Sequence, residues 1–316
     1  MPTSKELTVG GKRQAVSIEE AEAVLKRFQE EVAASDDIVV EKIDVSCKQW
    51  SIDAIEVLRP FLEKIAPKVK VIDLADTIAG LETSIGLAVM EKWTECFANA
   101  KEVKAINLDD NAMGPRALKK IAPLLKASKL EEVHFNNCGL SAECIPELNE
   151  ALKQDDTGLG VGRLKVLTMD KNMIGVEGAR QMGLLLPDCK NLQKFSYCGC
   201  RPESGGTKHI ATGLRGMAEN NENHQLAVLK LEDCTFGSGE EDDDAVHDLT
   251  KALEKLSKIS YLNIRDGDIG ETGMGMLAQS LINAGCKIVH LDLGKKGDCF
   301  SFCKNVVFVH DVFSNN

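Results

Sequence analysis

The residues of this 316-residue chain able to do chemistry are six histidines, eleven cysteines and a surplus of carboxylates. The histidines, at 134, 209, 224, 247, 290 and 310, form no His-x-x-x-His pair with an adjacent Glu, the spacing that places two zinc ligands on one helix face. Cys198-x-Cys200 and Cys299-x-x-x-Cys303 lack the paired spacing of a zinc site, and Cys198 and Cys200 are expected to face opposite sides of a strand end. Gly158-x-Gly160-x-Gly162 resembles a phosphate-cradling run. That chemistry needs glycines between a strand and the helix that follows, and these precede a strand. No Gly-x-Ser-x-Gly elbow, Walker loop or kinase signature occurs. What remains is a set of polar residues placed where strands run into loops: Asp76, Asp109, Asp110, Asn136, Asn137, Asp170, Lys171, Glu232, Asp233, Arg265 and Asp266. Their sign is mostly negative, so the chemistry they suit is recognition of a basic protein face.

The elements that position them come from a repeat. Ile106-x-Leu108-x-x-Asn111 returns as Val133-x-Phe135-x-x-Cys138, Leu167-x-Met169-x-x-Asn172, Phe195-x-Tyr197-x-x-Cys200 and Leu229-x-Leu231-x-x-Cys234. Weaker copies start at Ile43, Ile72, Leu262 and Leu291. The interval of roughly 27 to 34 residues suits one strand plus one full helix. Two apolar residues two apart share one face of a strand, so one face is core and the other wet. The Asn or Cys at the strand's end is expected to serve the turn backbone of the neighbouring repeat, which no ladder satisfies. An apolar residue and Gly follow, as in Met113-Gly114, Ile174-Gly175, Phe236-Gly237 and Ile269-Gly270, where Gly admits backbone angles closed to other residues. Helices then follow at 3.6 spacing, such as Leu118, Ile121, Ala122 and Leu125. No repeat buries its own apolar stripe, so repeats must stack. The expected fold is α/β, a leucine-rich-repeat solenoid of the ribonuclease-inhibitor-like horseshoe kind, with a concave parallel sheet and convex helices.

Residues 1–16 read as a flexible leader. Residues 17–36 read as an N-terminal capping helix, opened by Ser17 as N-cap with Glu20 completing a capping box. Residues 37–294 hold about eight to nine repeats. Two stretches read as surface insertions, 155–162 and 218–225. Glu240 to Asp244, an acidic run between a strand and its helix, suits a helix N-terminus or a basic partner. Residues 295–316 supply no helix pattern, hold four of the ten Phe, and read as an atypical tail, the product of truncation or mis-splicing.

The net charge of -11 opposes a nucleic-acid footprint. No run approaches the roughly 18 apolar residues of a membrane helix, and no apolar h-region opens the chain. Cys138, Cys200 and Cys234 hold the strand-end position of their repeats, so the cysteines read as structural thiols rather than a disulfide framework.

Three successive repeats carry a more specific signal. Val71-Ile-Asp-Leu-Ala-Asp-Thr-Ile-Ala-Gly80, Ile106-Asn-Leu-Asp-Asp-Asn-Ala-Met-Gly114 and Phe135-Asn-Asn-Cys-Gly-Leu140 together resemble the Ran GTPase-activating proteins, especially their plant-like branch. Ser17 to Leu25 is also similar to that branch. The resemblance implies stimulation of GTP hydrolysis on Ran, a small GTPase of nucleocytoplasmic transport, without an arginine finger. Such a protein is not itself an enzyme: it docks on its partner and orders the partner's glutamine, which positions the attacking water. Asn137 matches the asparagine at that contact, and Asp110 and Asp233 match acidic docking positions. Asp76, Asn136, Lys171 and Asp266 at the same edge complete the expected docking set.

The resemblance further implies no cofactor of the chain's own, since GTP and magnesium belong to the partner. It implies Ran in its GTP form as partner, joined by a Ran-binding protein, with no nucleic acid and no membrane insertion. A monomer is expected, in the cytoplasm or at the cytoplasmic face of the nuclear envelope. Two departures weigh against activity. Leu81 stands where the family has Arg after the Ala-Gly pair, and the family's later repeats and acidic tail are absent. The alternative is a non-catalytic repeat scaffold or inhibitor that binds a protein over its concave face.

Overall fold

A computed structural model of the chain describes residues 3–35, 37–127, 129–153, 160–241 and 244–294. The tail at 295–316, most of the 155–162 insertion and two residues of the acidic run lie outside them. The chain divides into two compact units, residues 1–163 and 164–316.

In the first unit the order is β1 (Thr3–Thr8), β2 (Gln14–Val16), α1 (Ile18–Ala33), β3 (Ile38–Asp44), β4 (Lys48–Trp50), α2 (Ile52–Ile65), β5 (Val71–Asp73), α3 (Thr83–Cys96), β6 (Ala105–Asn107), α4 (Gly114–Ala127), β7 (Glu132–His134) and α5 (Cys144–Lys153). Strands β1, β3, β5, β6 and β7 pair in parallel in that order, and β2 pairs with β4 in a separate short ribbon. Register follows the repeat: Leu7, Ile43, Ile72, Ile106 and Val133 are mutual partners across the sheet, and all are fully buried.

The second unit runs β8 (Val166–Thr168), α6 (Gly175–Leu185), β9 (Lys194–Ser196), α7 (Glu203–Asn220), β10 (Val228–Lys230), α8 (Ala245–Leu253), β11 (Tyr261–Asn263), α9 (Glu271–Ala284) and β12 (His290–Asp292). Its parallel strands align Leu167, Phe195, Leu229, Leu262 and Leu291. Both units are therefore leucine-rich-repeat stacks, each an open parallel sheet alternating with helices, and the α/β expectation holds in each.

Four expectations need correction. The leader is a strand: β1 pairs with β3, so Leu7-x-Val9 is a further copy of the strand core rather than a flexible run. The helix read as a cap is accordingly the helical half of that first unit. Its capping box is formed, Glu20 N–H donating to Ser17 Oγ at 3.2 Å and Ser17 N–H to Glu20 Oε2 at 2.9 Å. In the 218–225 insertion, Ala218 to Asn220 is the last turn of α7, and Ala218 is buried. Of the four glycines expected in unusual backbone, Gly114, Gly175 and Gly237 have φ of 53°, 65° and 85°, whereas Gly270 is an N-cap with φ −73°.

What holds neighbouring repeats together at the turn is Asn111. Its Oδ1 accepts Thr77 N–H at 2.9 Å and Ile78 N–H at 3.0 Å, while its Nδ2 donates to the carbonyls of Leu74 and Leu108, both at 2.8 Å. The side chain is fully buried, so no water replaces those bonds. Cys138, Cys200 and Cys234 do a smaller version, each thiol donating to the carbonyl of the preceding repeat, Leu108, Met169 and Tyr197. The nine cysteines of the described residues are free, and burial pushes the Cys96 thiol up to about 12 and Cys198 up to about 11.

In Asn111→Ala the buried Thr77 and Ile78 amides lose their acceptor and the Leu74 and Leu108 carbonyls each lose a donor, and a buried unsatisfied group costs about 1–3 kcal/mol. Urea unfolding of the variant is expected to show a loss of about 3 kcal/mol, and Asn111→Cys, the residue that occupies this place in the next repeat, a smaller one.

Candidate functional site

Every candidate residue but Asn136 sits one place before the strand-end ladder position, where the chain reverses into the left-handed region. Asp76, Asp110 and Asn137 in the first unit have φ of 52°, 59° and 53°, and Lys171, Asp233 and Asp266 in the second have 58°, 59° and 54°. The backbone N–H of five of them donates onward: Asp76 to Asp109 O, Asp110 to Asn136 O, Lys171 to Cys198 O, Asp233 to Arg265 O and Asp266 to Gly294 O, at 2.7–2.9 Å. Asp and Asn adopt this conformation at least cost among residues with side chains, so the turn alone accounts for much of the Asp/Asn pattern. The same geometry projects the side chains outward. Asp110, Asn137, Lys171, Asp233 and Asp266 are exposed, and Asp76 is half-buried.

Within the first unit the candidates are brought together. Asn137 Nδ2 donates to Asp110 Oδ1 at 2.8 Å. That bond turns the amide so that its oxygen points away, with no partner among the described residues. Asn136 is engaged differently, its N–H and Nδ2 both donating to the Asp109 carboxylate at 2.7 and 3.0 Å. Asn136 thus braces the turn. In the second unit the ion pairs are looser: Arg265 lies 3.7 Å from Asp266 and 3.8 Å from Asp292. Asp170 accepts Ser196 Oγ–H at 2.7 Å and Cys198 N–H at 2.8 Å, as Asp109 does for Asn136. In the acidic run, Asp244 is the N-cap of α8 and accepts Gly239 N–H at 2.8 Å, so this carboxylate serves the fold.

One residue at this edge escaped the reading of the sequence. Arg13, between β1 and β2, places its guanidinium on the Ala79 carbonyl and 3.3 Å from the Asp76 carboxylate. Leu81 does not leave this corner without a cation, because Arg13 supplies one from a distant part of the chain. The signal was the strand core at Leu7-x-Val9, which implies that the segment carrying Arg13 folds back onto the next repeats. Asp76 is held above its ordinary value of 3.8 by burial, opposed by Arg13 and reinforced by Asp110. No group of three or more His, Cys, Asp or Glu side chains among the described residues is arranged to hold a metal, and no described helix is long and apolar enough to cross a membrane.

No protein-family model matches the chain. A 125-residue stretch is 32% identical to RAN GTPase-activating protein 2 of Arabidopsis thaliana, covering 39% of this chain and 22% of that protein. The Ran GTPase-activating protein of Drosophila melanogaster is 29% identical over 187 residues, 56% of this chain and 30% of that one. The ribonuclease inhibitor of Sus scrofa is 24% identical over 212 residues, 59% of this chain and 43% of that one. The chain thus spans less than half the length of each of these relatives. The protein is a leucine-rich-repeat protein, a repeat scaffold of the kind used for protein interaction, similar to proteins whose names record different activities.

Removing Arg13 takes away the only opposing cation at Asp76 among the causes of its shift, so in Arg13→Ala the Asp76 carboxyl should titrate higher still. A carboxyl raised on folding holds its proton more tightly in the folded state. Its stabilising effect is present at low pH and fades as pH rises from about 3.8 through the raised value. Carboxyl NMR titration of both proteins checks the shift, and an unmoved Asp76 would show the ion pair to be inconsequential.

Proposed function

We propose that this protein binds a partner with a basic surface through the edge where its strands turn into loops. The observation that carries the reading is the Asp110–Asn137 pair: a fixed carboxylate and an oriented amide, both exposed, on a turn braced by Asp109 and Asn136. Exposed carboxylates steer a basic partner to such an edge, and the rigid turn spares the cost of ordering it on binding.

A finer reading is favoured by the ordered trio of motifs and by the likeness to two Ran GTPase-activating proteins. In it the partner is Ran in its GTP form. The free amide oxygen of Asn137 accepts an N–H of the partner's catalytic glutamine, turning that glutamine's carbonyl toward the attacking water. Asp110 fixes the Asn137 amide, and Asp76, Asp233 and Asp266 contribute docking charge. GTP and magnesium stay with the partner, so the chain's contribution is orientation of a group it does not own.

Single-turnover GTP hydrolysis on Ran, with and without the protein, tests this reading. Stimulation is expected from the wild type. Leu81→Arg isolates the departure from the family pattern: no gain in the variant would show that Arg13 already serves that corner, whereas activity only in the variant would mark an eroded activator. Asn137→Gly is the informative site variant, because glycine keeps the left-handed turn that alanine would strain by roughly 1 kcal/mol. It should cost catalysis about a hundredfold with little change in affinity, the scale of losing one preorganised hydrogen bond that acts in the transition state. An unchanged maximal rate removes the role given to Asn137. No stimulation by either protein, with binding measured separately, leaves the scaffold.

A further inference from the structure

Beside this edge, within the first unit, lies an open cavity of about 340 Å³ between the starts of α3 and α4. Its wall is mostly apolar, built chiefly from Ile78, Leu81, Leu87, Met113 and Pro115, and it reaches Gly139 in the loop after β7. The polar side chains at it, Thr83 and Arg116, are exposed. Gly86, in the first turn of α3, also lines it, and a Cβ there would meet Ile78 Cβ at 3.6 Å, an ordinary contact. Leu81 is half-buried and contributes apolar wall where an arginine would bring charge. A volume at the low end of ligand sites, about 300–1,000 Å³, with no buried polar side chain to orient a small molecule, suits a single large apolar side chain.

The rim sets the charge of the occupant. Asp110 lies two residues before Ala112 of the wall, and Glu82 directly follows Leu81. Both are exposed. Asp110 is bonded to the neutral amide of Asn137, and Glu82 to Ser84 N–H at 3.2 Å, so neither is neutralised by a cation among the described residues. Asp76 nearby is already paired with Arg13. Among the described residues Arg116 is the charged side chain that lines the cavity itself, while Glu82 and Asp110 lie one and two residues along the chain from lining residues.

We infer that this cavity is an anchor pocket for a partner protein segment that presents one bulky apolar side chain, leucine, methionine or aromatic, flanked by lysines or arginines. The apolar side chain is desolvated in the pocket while its basic neighbours meet Asp110 and Glu82. This deepens the docking reading above and rests on it. It adds the specificity that charge lacks, because an acidic edge attracts many basic faces, whereas a pocket accepts only those with an apolar knob in register.

The test uses the full chain with labelled methyl groups and three probe pentapeptides: phenylalanine between four lysines, alanine between four lysines, and phenylalanine between four glutamates. The first should shift the methyls of Ile78, Leu81, Leu87 and Met113, and should bind severalfold more weakly when ionic strength rises from about 0.05 to about 0.3 M. The second should bind at least about tenfold more weakly, the cost of losing a buried aromatic side chain. The third should not bind.

Ala112→Phe, a change at an exposed wall residue, should block the first peptide without lowering the melting temperature. Glu82→Gln removes the charge while keeping an oxygen to cap α3 at Ser84 N–H, and should weaken it about twofold. Equal binding of the acidic and basic phenylalanine peptides, shifts confined to methyls away from the cavity, or undiminished binding by Ala112→Phe would overturn the inference. Ran affinity measured on the same variants separates the two readings. A pocket that binds the peptide in a protein blind to Ran removes only the choice of partner, and Ran binding unaffected by Ala112→Phe removes only the pocket.

Discussion

The turn after each strand is where this structure is most constrained. A parallel strand of three residues satisfies its own backbone through its neighbours, but the chain must then reverse toward a helix, leaving amides and carbonyls inside the stack with no ladder to join. Asn111 answers this by carrying acceptor and donor in one flat group, bonding two amides of the preceding turn and a carbonyl on each side. A thiol at Cys138, Cys200 or Cys234 donates one bond and fills the rest of the space with an apolar atom. The repeat length, the strand register and the left-handed residue just before the ladder position all follow from closing this turn in the same way each time.

That constraint also generates the surface. A residue at φ near 55° directs its side chain out of the stack, and Asp and Asn are the side chains that tolerate the angle best. A row of acidic turns is therefore partly a by-product of folding, and acidity at one of them is weak evidence for binding. Pairing is stronger evidence. Asp110 and Asn137 are bonded to each other across repeats although neither turn needs that bond, since the backbone N–H of Asp110 already finds Asn136 O. Asp109 and Asn136, by contrast, are consumed by the turn.

The strand register was readable because Ile43, Ile72, Ile106 and Val133 each open the same strand core and are all driven inside, so a slip would expose every one of them. The ladder role of Asn111 was readable for the same reason. The first strand was not read, although Leu7-x-Val9 repeats the core pattern, because Ser4, Lys5 and Glu6 before it and Gly10-Gly11 after it look like solvated leader. With the strand went the position of Arg13, whose partners lie 66 and 63 residues on at Ala79 and Asp76. Contacts at such separation leave no local trace in composition or periodicity. The cavity was unreadable for a different reason. It depends on two loops and two helix starts meeting across neighbouring repeats, which is not a pattern along the chain.

Arg13 bears on how a departure from a family pattern is weighed. Replacing an arginine by Leu81 reads as the loss of a cation at one place in the chain. In space the charge beside the Ala79 carbonyl and Asp76 is present, delivered by the segment between β1 and β2. What Leu81 changes is the wall next to that charge, which becomes apolar and encloses a cavity. A guanidinium reaching from position 81 would lie on a flexible stem of its own, whereas the Arg13 guanidinium is tied at once to a carbonyl and a carboxylate and has less freedom to seek a partner. The edge therefore combines a held cation, carboxylates at Asp110 and Glu82 bonded to no cation among the described residues, and a mostly apolar recess. Selectivity at such a surface rests on shape as much as on charge, because only an occupant meeting all three would recover the cost of desolvating them.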